Sequence, residues 1–182
     1  MAKASEKKPV QKAVATKKEQ AHYDNFRDGQ WNLKYLKFVN AFLKQIGLTE
    51  KTAAEKAGIV RQTIYHWFGK DDAMLSSIEN LINACGYKLV FSLEKKSHEV
   101  GDAILTINQK EVPATENDKR LDFLAKALDR YGIQRKEAAE KLGLGYTALY
   151  YWFRNDDVFV SYIYKIAELY DLKVNIKIDP KD

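Results

Sequence analysis

The stretch KTAAEKAGIVRQTIYHWFGKDD, Lys51 to Asp72, returns as KEAAEKLGLGYTALYYWFRNDD, Lys136 to Asp157. The offset is constant at 85 residues, so Gly58 answers to Gly143, Trp67 to Trp152 and Asp72 to Asp157. Upstream, Leu36, Phe38, Leu43 and Gly47 match Leu121, Phe123, Leu128 and Gly132; downstream, Ser76, Ile78 and Lys88 match Ser161, Ile163 and Lys173. A unit this long, occurring twice, excludes a solenoid of short repeats. It predicts one small domain, duplicated and fused.

Each copy reads the same way. Trp31, Tyr35, Leu36, Val39, Phe42, Leu43 and Ile46 recur at helical spacing and stop at Gly47. Thr49 is a natural N-cap for a second helix, about Glu50 to Ala57, closed by Gly58. A third helix, about Arg61 to Phe68, follows a very short turn, and a fourth carries Met74, Leu75, Ile78, Leu81 and Ile82. Asp71 and Asp72 stand where that fourth helix starts, which suits its cap and dipole. The period then switches to two, predicting strands at Tyr87–Leu93 and Ala103–Asn108. In the second copy the first helix carries Leu121, Leu124, Leu128 and Tyr131, the third spans about Tyr146 to Phe153, and the fourth carries Phe159, Ile163, Ile166, Ala167 and Tyr170. Leu172–Ile178 is a closing strand. An isolated hairpin is marginal, so the strands of the two copies are expected to pair.

The second and third helices read as a helix-turn-helix. Ala53, Ala54 and Ala57 permit close approach, Ile59, Ile64 and Trp67 fill the angle, and Gly58 supplies the positive φ of the turn. Ala138, Ala139, Leu142, Leu144, Leu149 and Trp152 take the same places in the second copy. The organisation expected is a disordered basic tail (1–25), repeat one with its strand (30–94), a hairpin strand and linker (95–119), and repeat two with its strand (120–182).

Composition narrows the function classes. The 182 residues are 46% hydrophobic and 30% charged, and no apolar run reaches the ~18 residues of a membrane span. The N-terminus lacks the apolar segment of a secretory signal, and a single cysteine, Cys85, fits a reducing cytoplasm. Of the net charge of +5, residues 1–20 carry +4, from six lysines against Glu6 and Glu19. That tail is either a solubilising terminus or a flexible arm for phosphates. The Asp71-Asp72 and Asp156-Asp157 pairs suit capping better than acid–base chemistry. His22, His66 and His98 form no ligand set, and no nucleophile–base set or phosphate loop appears. The expectation is a protein that is not an enzyme and needs no cofactor or metal.

The residues Leu48-Thr49, Ala54-Glu55-Lys56, Gly58-Ile59, Arg61 and Thr63-Ile64 give the chain a resemblance to the Xre family, the lambda-repressor-like helix-turn-helix proteins. GYKLVFSL is similar to the C-terminal strands that pair across dimers of some members, antitoxin-type regulators included. The resemblance covers about Leu36–Leu93 and Leu121–Ile178. It implies a mainly α fold with a small β-sheet: tandem domains, each followed by a strand, arranged as a pseudo-dimer. It also implies double-stranded DNA as partner, with the third helix in the major groove.

The implied base readers of repeat one are Val60, Arg61, Gln62 and Thr63 at the helix tip, with Tyr65 and His66 one turn on. Arg61 matches guanine O6/N7 and Gln62 adenine N6/N7, each bidentate. Phosphate candidates are Lys44, Lys51, Lys56 and Lys70. In repeat two the matching positions, Gly145, Tyr146, Thr147, Ala148, Tyr150 and Tyr151, hold no guanidinium or amide, although Arg130, Arg135, Lys136, Lys141 and Arg154 supply positive charge. This copy is either a DNA contact of different specificity or a surface diverted to a protein partner. The expected function is sequence-specific DNA binding by a monomeric pseudo-dimer, a prokaryotic or phage transcriptional regulator. The alternatives are an antitoxin-like or phage-structural interaction module and a non-specific DNA-coating protein.

Overall fold

The computed structural model describes residues 31–96 and 119–181. The expected tail (1–25), the strand Ala103–Asn108 and the linker between 97 and 118 lie outside the described residues. Among the described residues the chain is mainly helical, with eight α-helices and one two-stranded antiparallel sheet. All these elements belong to one compact unit, Leu33–Asp182. The first repeat supplies α1 (Lys37–Gln45), α2 (Glu50–Ala57), α3 (Arg61–Lys70), α4 (Leu75–Ala84) and β1 (Tyr87–Lys95). The second supplies α5 (Asp122–Arg130), α6 (Arg135–Lys141), α7 (Ala148–Asn155), α8 (Val160–Leu169) and β2 (Leu172–Pro180).

Helix α1 starts later than the apolar period suggests, leaving Tyr35 ahead of it. Its cap comes from 35 residues down the chain: the Asp71 carboxylate accepts from the N–H groups of Lys34 (2.7 Å), Tyr35 (3.0 Å) and Leu36 (2.9 Å). Asp71 reaches back because it closes α3 in the left-handed region, at φ 49°. Aspartate is among the few non-glycine residues at ease there. Asp156, at φ 51°, does the same for α5, accepting from Arg120 (2.8 Å) and Leu121 (2.9 Å). The aspartate pairs therefore cap helices, as expected, but not the helices that follow them.

Asp72 and Asp157 cap across the repeats. The Asp72 carboxylate accepts from Ser161 N (3.0 Å) and Ser161 Oγ (2.6 Å) at the start of α8. Asp157 accepts from Ser76 N (3.0 Å) and Ser76 Oγ (2.5 Å) at the start of α4. Between these caps Met74 and Phe159 form an antiparallel bridge, with Leu75 N donating to Val158 O and Val160 N to Ala73 O, both at 2.9 Å. Both residues thus stand at N-cap positions instead of inside the helices expected to carry them, and Phe159 is exposed.

The strands pair across the repeats, as their sequences lead one to expect, and each runs two residues further than its apolar alternation. Leu89, Phe91 and Leu93 face Ile178, Ile176 and Val174 on the inner side of the ladder. Phe91 pairs with Ile176, its own equivalent at the 85-residue offset, so a pseudo-twofold axis passes through that pair and through the Met74–Phe159 bridge. The Phe91 ring lies 5.7 Å from Phe38 of α1 and 5.6 Å from Phe123 of α5, which are likewise equivalents. The aromatic cluster over the sheet thus draws Phe38 and Phe91 from the first copy and Phe123 from the second.

Candidate functional site

The pair α2–α3 is set by small residues and one glycine. Thr49 Oγ1 accepts from Thr52 N at 3.2 Å and caps α2. Gly58 ends it at φ +67°, and Val60 is extended before α3 begins. Ala53 and Ala54 are buried, so the two helices approach closely, and Ile64 and Phe68 anchor α3 one turn apart. Trp67 is only half-buried. The remaining arc of α3 faces outward. Arg61, Gln62 and His66 are exposed, and Thr63 and Tyr65 half-buried. The Arg61 guanidinium lies 4.5 Å over the Tyr65 ring, a cation–π contact that restrains the side chain at the helix tip. With Val60 exposed at the cap position ahead of α3, all six base-reading candidates of repeat one lie outside its buried pair.

Repeat two presents a different edge in the equivalent place. Helix α7 begins at Ala148, two residues later than expected, so Tyr146 and Thr147 lie in a turn ahead of it. Gly145, a poor helix former, stands where repeat one has Val60, and the turn closes with Ala148 N donating to Gly145 O at 2.9 Å. Leu149 is the buried anchor. Around it Tyr146, Tyr150 and Tyr151 are 71%, 60% and 51% exposed, a concentration of apolar rings that a purely solvated face would not carry. Trp152 packs instead against Tyr162, with centroids 5.0 Å apart.

The cationic candidates divide into two sets. Lys44, Lys56, Lys70, Lys136 and Arg154 are exposed side chains, and Arg130, also exposed, already takes part in an interaction. Others are already engaged: Lys141 pairs with Glu137 at 2.6 Å and lies over Tyr170, the Arg135 guanidinium stacks on Phe153 at 4.4 Å, and Lys51 approaches Glu55 at 3.9 Å. The Glu137 hydrogen bond also holds the Lys141 ammonium above its ordinary value.

The chain's alternation of residue types did not single out the contacts beside the pseudo-twofold axis. Arg120 Nε donates to Glu79, and its Nη1 donates to Asp156 O at 2.6 Å. Burial raises the Glu79 carboxyl above its usual value despite the guanidinium, with Asp156 and Asp157 adding to the effect. The repeated spacing Asp-x-x-x-Ser, Asp72 to Ser76 and Asp157 to Ser161, was the available signal for the cross-repeat caps. A groove of about 380 Å³ between α1 and β2, lined by Phe38, Phe42, Ile46, Tyr87, Ile176 and Ile178, involves none of the candidate residues. Among the described residues no helix is long and apolar enough to cross a membrane. No protein-family model matches the chain, and the comparisons with curated proteins and with solved structures found no match either.

Proposed function

We propose that the protein is a sequence-specific double-stranded DNA-binding protein of the kind that regulates transcription. On this reading the two repeats are tandem helix-turn-helix domains of Xre type joined as a pseudo-dimer. The observation that carries it is the tip of α3: Arg61, Gln62 and His66 stand exposed on a helix anchored from behind by Ile64 and Phe68. A rigid short helix with a guanidinium and an amide at its N-terminal turn suits the donor–acceptor code of the major groove. Repeat two brings exposed tyrosines to its edge, which suit thymine methyls and phosphates in place of a bidentate match. The target is accordingly an asymmetric pair of half-sites. Linking two modest contacts in one chain raises avidity by roughly 10²–10⁴.

A selection from randomised duplexes tests this, using the full chain, the chain without residues 1–20, and Arg61→Ala with Gln62→Ala. A bipartite motif, kept without the tail and lost at one half-site in the double variant, is the expected result. Each neutralised phosphate contributes about −0.9 to the log–log salt slope, so a slope that vanishes with the tail would assign binding to non-specific coating. A second reading, a protein-binding module, is favoured by the exposure of Tyr146, Tyr150 and Tyr151. It would be supported by failure to enrich any motif.

A further inference from the structure

The two contacts flanking the pseudo-twofold axis occupy equivalent positions yet hold unlike chemistry. On one side Arg120 of repeat two meets Glu79 of repeat one, with side chains only 25% and 23% exposed. Shifting each by the 85-residue offset gives the other side: Tyr35 of repeat one and Tyr164 of repeat two, with rings 5.5 Å apart. One contact is ionic and the other aromatic.

We propose that these contacts form a pairing code: each repeat docks on the unlike repeat and rejects a copy of itself. Repeat one paired with itself would set each Glu79 against a Tyr35, placing two half-buried carboxylates without a guanidinium. Repeat two paired with itself would set each Arg120 against a Tyr164, without its carboxylate. Only the unlike pairing gives arginine its glutamate while leaving tyrosine on tyrosine. Removing one member of a desolvated charge pair is costly even where the pair itself adds little stability.

Two further ion pairs cross between the repeats, Lys34–Glu168 at 2.7 Å and Lys96–Asp171 at 3.3 Å, but their side chains are about half exposed, so they weigh little against the desolvated Arg120–Glu79 pair. The Asp72–Ser161 and Asp157–Ser76 caps use the same residue types in both copies and would form in any pairing. The backbone bonds at the two ends of the ladder, Lys96 N to Asp171 O and Lys181 N to Gly86 O, are likewise equivalent. On the axis, shape acts in the same sense as charge. Phe91 faces Ile176 between Phe38 and Phe123. Like pairing would put two phenyl rings or two isoleucines where one of each fits, overfilling one core and underfilling the other. The proposal is independent of the DNA-binding reading, since none of these residues lies on α3 or α7.

The test uses the full chain with a protease site inserted between residues 97 and 118, cut after folding and examined by native mass spectrometry after mixing with isotope-labelled cut chain. The expected species are exclusively N-terminal half with C-terminal half. Either Glu79→Arg or Arg120→Glu alone should weaken that pair roughly 10- to 100-fold, and the two together should restore most of it. Tyr35→Arg makes repeat one self-complementary, because the new guanidinium would meet Glu79 of a second copy on both sides. N-terminal halves of this variant should pair with each other at least about tenfold more than the unsubstituted halves do. A statistical mixture of like and unlike pairs from the unsubstituted chain, or halves that separate on cutting, would overturn the proposal. So would a double charge exchange no better than its singles, and this arm decides the matter if Tyr35→Arg does not fold.

Discussion

Replacing Asp72 by alanine should unsettle the repeat to which Asp72 does not belong. Its carboxylate accepts three hydrogen bonds, from Ala73 N and Ser161 N at 3.0 Å and from Ser161 Oγ at 2.6 Å. Ser161 is 5% exposed, so water cannot readily replace the lost acceptor. Loss of an N-cap costs about 1 kcal/mol, and a buried donor left without a partner about 1–3 kcal/mol. The Ser161 hydroxyl can rotate toward other acceptors, so the sum is taken as about 3 kcal/mol, a large share of the 5–15 kcal/mol typical of a domain. With a urea m-value of about 1.5 kcal/mol/M the midpoint falls by about 2 M. Asp157→Ala removes the matching cap, but its partner Ser76 is only half-buried, and about 2 kcal/mol is expected. Urea unfolding followed by tryptophan fluorescence and by circular dichroism measures both, and a cycle with Ser161→Ala should return a coupling of about 1 kcal/mol. Because the cap joins the repeats, a single coincident transition is expected. A loss below about 0.5 kcal/mol for Asp72→Ala, or a second repeat that melts separately with the first unaffected, would refute the reasoning.

Burial raises the Glu79 carboxyl in the folded chain, so the native state binds its proton more tightly than the unfolded chain does. Stability from this group is present at acid pH and lost as pH rises from the ordinary value of about 4.3 through the raised native one. Glu79→Gln should therefore gain on the native protein between about pH 3.5 and 7 in urea midpoints, and a constant difference would exclude the effect. Gly58 and Gly145 both have open space where a Cβ would go, but only Gly58 has positive φ, at +67°. Gly58→Ala should cost about 1 kcal/mol and Gly145→Ala should be neutral or stabilising by up to about 1 kcal/mol, as thermal melts would register. Phe91→Ala empties the ring site between Phe38 and Phe123 and should cost about 3–5 kcal/mol in the same unfolding assay, with less than about 1 kcal/mol marking a dispensable ring.

Local chemistry made much of the fold legible. Alanine and glycine in α2 and its turn, Thr49 as a cap and the alternation of Tyr87–Leu93 each act within a few residues, and each is found as read. The outer arc of α3 was legible for the same reason, since Ile64 and Phe68 leave Arg61, Gln62 and His66 no inward place. The start of α7 was not, because Gly145 permits a turn without announcing one.

The aspartate pairs mark the boundary between the two kinds of information. Their composition and position determine that carboxylates cap helices here. Which helix each one caps depends on partners 35 and 89 residues away, brought close only by the left-handed turn at Asp71 and the antiparallel joining of the copies. The 85-residue repeat likewise determined that two equivalent surfaces exist. The tertiary structure alone decided that Arg120 meets Glu79 while Tyr35 meets Tyr164, because contacts across a pseudo-twofold axis pair each position with the equivalent of its partner, and no local period encodes that exchange.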